Sequence, residues 1–239
     1  MKSPRLIAAL SAILLATLVI VACQKAAYVA PPASFTVVHA MANEKNAIVP
    51  LFGTKQQLQY FGTMQSIGYG SSFLFSPVAG VTSIQIVPKS DTVFNILKGS
   101  LTLTSGNIYT LFLAGDTTKP DTVLTVDNIP HYSDSSAGIR FINLTPDSHP
   151  ILVNIKGNDP TKVDEFSGIA YKQITAFKTY AAKSTNVKDT FEIRDQTNDS
   201  LLNTYIWTIP TLKNQTIVVA GSEFTGPTVP IKVFAVNNY

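Results

Sequence analysis

Cysteine occurs once in these 239 residues, at Cys23, and tryptophan once, at Trp207. A single cysteine excludes an internal disulfide, so stability has to come from buried apolar surface. Charge is sparse too: Asp, Glu, Lys and Arg make up 14% of the chain, with a formal net charge of +3. That balance leaves no electrostatic footprint for nucleic acid, and no nucleic-acid partner is expected. Sustained helical periodicity is missing, and the apolar run from Leu6 to Ala22 is shorter than the ~20 residues of a membrane-spanning helix.

The N-terminus carries a targeting pattern. Lys2 and Arg5 flank the start of the apolar run, which closes on Ile20-Val21-Ala22-Cys23. A basic start, a short apolar stretch and small residues before a cysteine resemble a bacterial lipoprotein signal. On that reading residues 1–22 are a signal peptide, Cys23 is lipidated, and the mature chain is held to a membrane by lipid. A second acyl chain would make the attachment stable, because one chain binds only marginally. Gln24 is not the aspartate associated with inner-membrane retention, so an outer-membrane location is expected, at the cell surface or the periplasmic face. Without Lys2 and Arg5 the formal charge falls to +1, so the apparent basicity belongs largely to targeting.

Residues 23–33 read as the lipidated cysteine and a short extended tether ending in Pro31-Pro32. From Ser34 onward, short apolar runs alternate with period two: Ile84 and Ile86 around Gln85, Leu101 and Leu103 around Thr102, Phe191 and Ile193 around Glu192. Gly, Pro, Asn and Asp separate them, which predicts an all-β sandwich or barrel. The pattern occurs twice. Asn107–Gly115 aligns with Lys213–Gly221, Ile67-Gly68-Tyr69 with Ile169-Ala170-Tyr171, and Phe35–Ala40 with Ile139–Leu144. The expected organisation is a first β-sandwich domain over 34–129, a linker over 130–137 and a second β-sandwich domain over 138–239.

Gly138-Ile139-Arg140-Phe141-Ile142-Asn143-Leu144-Thr145-Pro146-Asp147 resembles the opening strand and turn of the domain of unknown function 4397. Ile67 to Tyr69 and Tyr109 to Gly115 resemble its later hallmarks. The first copy departs at its start, with His39-Ala40-Met41-Ala42 where the second has Asn143-Leu144-Thr145-Pro146. The resemblance covers both copies and implies tandem immunoglobulin-like β-sandwiches in secreted or lipid-anchored bacterial proteins. It implies no activity, because the family has no established catalytic residues to carry over.

Nucleophilic catalysis needs a Ser, Thr or Cys beside an oriented base. His39 falls in a strand where the other copy has Asn143, His131 lies in the linker, and His149 lies in a Pro-flanked turn, with no Gly-x-Ser-x-Gly elbow anywhere. Lipidation would consume the only thiol and with it cysteine-based zinc sites. Calcium-like oxygen clusters, at Asn158, Asp159, Asp164, Glu165 and at Asp195, Asn198, Asp199, lack the spacing of a calcium loop and suit ordinary turns. The four glutamates, Glu44, Glu165, Glu192 and Glu223, form no recognisable pair. No enzymatic activity, metal or cofactor is expected.

Ligand contact is a different matter. Trp207, Tyr60 and Phe61 are candidate contacts for a saccharide, although Tyr205, Trp207 and Ile209 share one strand face that suits a core. Asp-Ser/Thr triplets resembling a bacterial glycan-attachment motif mark Thr92, Thr117, Thr122 and Ser200 as candidate attachment points. The expected protein is a non-catalytic, lipid-anchored envelope protein for adhesion or extracellular-polymer binding. Its alternatives are an accessory glycan-binding lipoprotein serving a transporter or hydrolase, and a periplasmic scaffold. Its expected partners are the membrane, through the anchor, and a polysaccharide or protein ligand. With two rigid domains in series, the second, farther from the lipid, is the expected contact site.

Overall fold

The computed structural model describes residues 31–44, 46–53, 64–133, 135–158, 164–181, 188–208, 213–222 and 230–238. Among them there is no helix, and fifteen strands account for the ordered backbone. Seven belong to the first copy: β1 (Ser34–His39), β2 (Ile48–Phe52), β3 (Ser71–Phe75), β4 (Gly80–Pro88), β5 (Leu97–Leu103), β6 (Ile108–Gly115) and β7 (Pro120–Val126). The second copy supplies β8 (Ser136–Leu144), β9 (Ile151–Ile155), β10 (Phe166–Ile169), β11 (Lys178–Ala181), β12 (Lys188–Asp195), β13 (Leu201–Thr208), β14 (Asn214–Ala220) and β15 (Lys232–Asn238).

Each copy is a sandwich of two sheets. In the first, β3-β1-β6-β7 packs on β2-β4-β5; in the second, β11-β8-β14-β15 packs on β10-β9-β12-β13. The repeat is kept at the level of register: β1 runs parallel to β6 with Phe35 opposite Tyr109, and β8 runs parallel to β14 with Ile139 opposite Gln215. Alternate residues fill each interior. Phe35, Val37, Ile48, Ile86, Leu111 and Leu113 form the first core, and Phe141, Val153, Phe191, Ile193, Trp207 and Val219 the second. The second core is joined by edge-to-face rings, with Phe141 to Phe191 at 5.4 Å and Tyr180 to Trp207 at 5.3 Å.

Strict alternation would leave the outer faces of β1, β6, β8 and β14 wet, and they are dry. Val38, Ala40, Phe112 and Ala114 from the first sandwich meet Ile142, Leu144, Val218, Ala220, Phe234 and Val236 from the second in a third buried core. Successive side chains point to opposite faces of a strand, so Val37 fills the first core while Val38 fills the shared one. The two sandwiches therefore lie side by side, face to face, instead of in series along a tether. The physical reason is the run of apolar residues on both faces of these strands, the pattern of sheets covered on both sides.

Polar fasteners close this shared interface. Asp127, just after β7, is fully buried and pairs with Arg140 Nη2 at 2.5 Å. The Asp127 carboxylate also accepts from the Thr110 and Thr125 hydroxyls, and Arg140 Nε donates to Thr216. Farther along, Tyr171 Oη and Lys172 Nζ both donate to Asp121 at 2.9 Å, and Lys232 Nζ donates to the Tyr69 carbonyl at 3.1 Å. The segment read as a linker is tied down as well: Asn214 Nδ2 donates to the Pro130 carbonyl, and the Tyr132 and Thr179 hydroxyls lie 3.0 Å apart. The end of the predicted tether belongs to the first sandwich. Ala33 is buried, its N–H donates to the Pro77 carbonyl, and Pro32 bridges to Val78.

Candidate functional site

Where the edge strands β3 and β15 face one another, the two sandwiches part and leave a cleft of about 320 Å³. Lys232 closes this edge at one end. At the other end Ser34, Thr36 and Ser72 bring hydroxyls, Asn237 and Asn238 bring carboxamides, and Phe73 and Leu74 form an apolar wall. Phe73 and Leu74 are exposed by 39% and 48%, a large apolar area for one edge strand. Asn238 Oδ1 accepts from Thr216, and Asn237 Oδ1 accepts from Gln215, so among the described residues each keeps its amide NH2 to offer a ligand. The ionised side chain in the lining, Asp127, is neutralised by Arg140. Ile108, Ile129 and Ala235 complete the lining, so the cleft mixes apolar surface with neutral hydroxyls and amides and is flanked by an aromatic ring. Residues from both sandwiches build it.

Trp207, a candidate ligand contact in the sequence, is only 1% exposed and its Nε1 donates to Gln215 at 2.8 Å. Its place is in the second core, because it alternates with exposed Ile206 and Thr208 on β13 and faces inward. Tyr60, Phe61 and Cys23 lie outside the described residues, as do Ile209, Asp159 and Glu223. The glycan-attachment candidates fall on turns and an edge strand. Thr122 and Ser200 are exposed, and Thr92 and Thr117 are half-buried. Thr117 is held by Asn43 through its N–H, and the Ser200 N–H donates to Asn198. Phe73, Asn237 and Asn238 were not singled out by sequence, and no local motif marks them. The exposed ring in an otherwise small-residue strand end (Ser71-Ser72-Phe73) was the available clue.

Two of the three histidines, His39 and His149, make structural contacts. His39 Nε2 donates to the Asn46 carbonyl at 3.1 Å and Nδ1 accepts from the Met41 N–H at 3.4 Å. Burial pushes its pKa down, against the Asn46 carbonyl and the Glu44 carboxylate, which favour the cation. His149 meets Asp195, a pair the sequence reading did not assemble, with Nδ1 at 2.9 Å from Oδ2. Burial raises the Asp195 pKa, but hydrogen bonds from Thr197 and His149 outweigh it and hold the carboxyl well below the usual range. The Thr197 hydroxyl lies 3.3 Å from the same ring nitrogen that faces Asp195. A base relays a nucleophile's proton through its opposite nitrogen, so this trio is a clamp on the β12–β13 turn. Among the described residues no group of three His, Cys, Asp or Glu side chains is arranged to hold a metal.

An all-β protein of two sandwiches fused through a shared core, with a neutral cleft at the junction, is the class that fold and site define. The chain belongs to the family of the domain of unknown function DUF4397, whose model matches residues 33–155. No curated protein matches it in sequence. Three solved structures are similar to it only loosely. One, described as alpha-glucan binding by a streptococcal virulence factor, is 11% identical over 84% of this chain and 96% of that one, with a TM-score of 0.27. The CBMbc module of family CBM26 from Eubacterium rectale Amy13K, in complex with maltoheptaose, is 8% identical over 87% and 97%, at 0.25. A family 41 carbohydrate-binding module from streptococcal virulence factors is 12% identical over 84% and 96%, at 0.26. Scores this low bear on neither ligand nor mechanism.

Proposed function

We propose that this is a lipid-anchored envelope protein without catalytic activity, which binds an uncharged extracellular glycan in the cleft between its two sandwiches. The observation that carries the reading is the cleft lining: hydroxyls of Ser34, Thr36 and Ser72, amides of Asn237 and Asn238, and the exposed Phe73 ring beside them. Sugars present apolar ring faces and many hydroxyls, and an orientation-fixing set of neutral donors beside an aromatic wall suits them. A charged polymer would find no counter-charge there, because Asp127 is already paired with Arg140. Anchoring is the part of the reading that rests on the Cys23 pattern, and it keeps the site at the envelope.

Calorimetric titration of the purified protein with neutral and anionic polysaccharides tests the ligand. Heat with a neutral glycan, and affinity reduced roughly 3- to 10-fold by Phe73→Ala, is the expected result for loss of one ring contact. Binding that Phe73→Ala leaves untouched would move the ligand off this cleft. Intrinsic fluorescence is a poor reporter, since the single tryptophan is in the core. The rigid shared core also suits an envelope spacer, which silence across the whole glycan panel would favour. Protease shaving of intact cells, with a Cys23→Ala control, separates a surface location from a periplasmic one.

A further inference from the structure

Equivalent positions of the two sandwiches meet across the shared face. In the alignment of Asn107–Gly115 with Lys213–Gly221, Ala114 corresponds to Ala220. Asp121 lies opposite the first and Lys232 opposite the second, so Asp121 and Lys232 are counterparts. Asp121 accepts from Tyr171 and Lys172 of the second sandwich, while Lys232 donates to the Tyr69 carbonyl and lies against Gly70 of the first. Tyr69-Gly70 and Tyr171-Lys172 are counterparts in their turn. The contact therefore recurs with the two sandwiches exchanged, as it does across the two-fold axis of an isologous dimer.

The same exchange relates the buried ion pair to the cleft. Arg140 lies opposite Thr216, and its counterpart Thr36 lies opposite Thr110. Asp127, whose N–H donates to the Ile108 carbonyl, is the counterpart of Asn238, which lies opposite Asn214. Both threonines do the same work: the Thr110 hydroxyl donates to Asp127 at 2.5 Å and the Thr216 hydroxyl to Asn238 at 2.6 Å. In the closed half Arg140 crosses between the sandwiches, with its guanidinium 4.5 Å from the centre of the Phe177 ring, Nε on Thr216 and Nη2 on Asp127. In the open half Thr36 and Asn238 take the places of the arginine and the aspartate. Leu74, opposite Thr36, takes that of Phe177, and all three line the cleft. Threonine ends at the γ position, so the room that a guanidinium fills on one side is left to a ligand on the other.

We infer that Thr36 and Asn238 determine the specificity of the cleft: the short side chain at 36 holds it open, and the amide at 238 chooses what enters. With its Oδ1 bound to Thr216, Asn238 presents a donor where Asp127 presents an acceptor. An arginine-like cation finds no free carboxylate there. The group seated between Asn238 and Leu74 is uncharged and brings a hydrogen-bond acceptor, as a sugar hydroxyl or an acetamido carbonyl does. This deepens the glycan reading and rests on it for the ligand; the exchange of residues 36 and 238 for their counterparts can be tested without any ligand.

A double-mutant cycle in the full chain supplies that test. Thr36→Arg and Asn238→Asp each add a charge at the interface and should lower the urea midpoint. The double variant rebuilds the second ion pair, and its midpoint should lie roughly 0.5 M or more above the sum of the two single shifts. Shifts that simply add, or a double variant that fails to fold, overturn the inference, because an arginine at 36 then does not meet residue 238. Calorimetric titration with neutral polysaccharides, chitin oligosaccharides among them, reads the ligand side. The coupled double variant should bind about tenfold more weakly or not at all, and Asn238→Asp alone should also weaken binding, because a donor has become an acceptor. Unchanged affinity in the coupled double variant would take the opening of the cleft away from these two positions. If no neutral glycan binds the unaltered chain, the glycan reading fails, and the midpoints alone decide whether residues 36 and 238 are the open counterpart of Arg140 and Asp127.

Discussion

The first strand of each sandwich ends in the same turn, built from different residues. In the first copy His39 accepts the N–H of Met41, two residues on, and its carbonyl accepts from Gly70. In the second, Asn143 accepts the N–H of Thr145, two residues on, and its carbonyl accepts from Lys172. Gly70 and Lys172 both adopt positive φ, 72° and 65°. The backbone geometry is therefore the repeated feature, and side chains are exchanged wherever they supply the same hydrogen bond. A left-handed conformation costs a side-chain-bearing residue about 1–2 kcal/mol, and at Lys172 the contact with Asp121 helps to hold it. The tyrosines one position earlier diverge further: Tyr171 donates to Asp121, whereas the Tyr69 hydroxyl is buried without a partner among the described residues and burial pushes its pKa up to about 12.

The comparison breaks most severely at the shared core, which neither sandwich has by itself. Phe112→Ala should cost about 3–5 kcal/mol by urea unfolding, as large aromatic truncations in cores do. If the two sandwiches unfold as one, the variant should also split a single transition into two; one unsplit transition of unchanged midpoint would mean the shared core couples nothing. Arg140→Met should cost about 3–5 kcal/mol, because it leaves the Asp127 carboxylate buried without its cation. Adding Asp127→Asn to Arg140→Met should recover part of that loss, and a double variant no better than the single would argue against the charge as the cause.

The turn supplies a pH-dependent contrast. His39 has a folded pKa below its unfolded value, so the unfolded chain binds the extra proton first as pH falls. Stability is full above about pH 6.5 and declines below it, by up to about 1.4 kcal/mol per pH unit, until the lowered folded pKa is reached. His39→Asn, which writes the second copy's residue into the first, should remove this part of the slope when urea midpoints at pH 5 and pH 8 are compared. An unchanged slope would place the acid sensitivity elsewhere. The smallest effect is expected at Lys172→Gly, which relieves the left-handed strain but loses an exposed pair to Asp121. The net change should stay within about 1 kcal/mol. Gly70→Ala should be the costlier exchange, since it puts a Cβ on a left-handed backbone and makes the end of the Lys232 side chain give way.

Much of the fold was legible. Alternation at Ile84 and Ile86 or Phe191 and Ile193 marks interior-facing strand positions, and all four side chains are buried. The match of Asn107–Gly115 to Lys213–Gly221 corresponds to β6 and β14, each paired in parallel with the first strand of its own sandwich. The face-to-face packing was less legible, though the signal existed in Val37-Val38, Leu111-Phe112-Leu113 and Ile217-Val218-Val219, where both faces are apolar. Read as alternation with a turn between domains, those runs suggested two bodies in series. The cleft left little trace beyond Phe73 after Ser71-Ser72, because Ser34, Phe73 and Asn237 are far apart in the chain.

The sequence by itself determined that the chain makes strands, that it makes the same set twice, and that no disulfide within the chain holds it. Those properties follow from local periodicity, repetition and composition, which act over a few residues or can be counted. Tertiary structure decided that the two sandwiches share a buried face, that Trp207 is core, and that Phe73 stands beside Asn237 and Asn238 in one cleft. These depend on which sheet face meets which, and that choice is made by apolar area buried between residues about a hundred positions apart, as Phe112 and Val218 are.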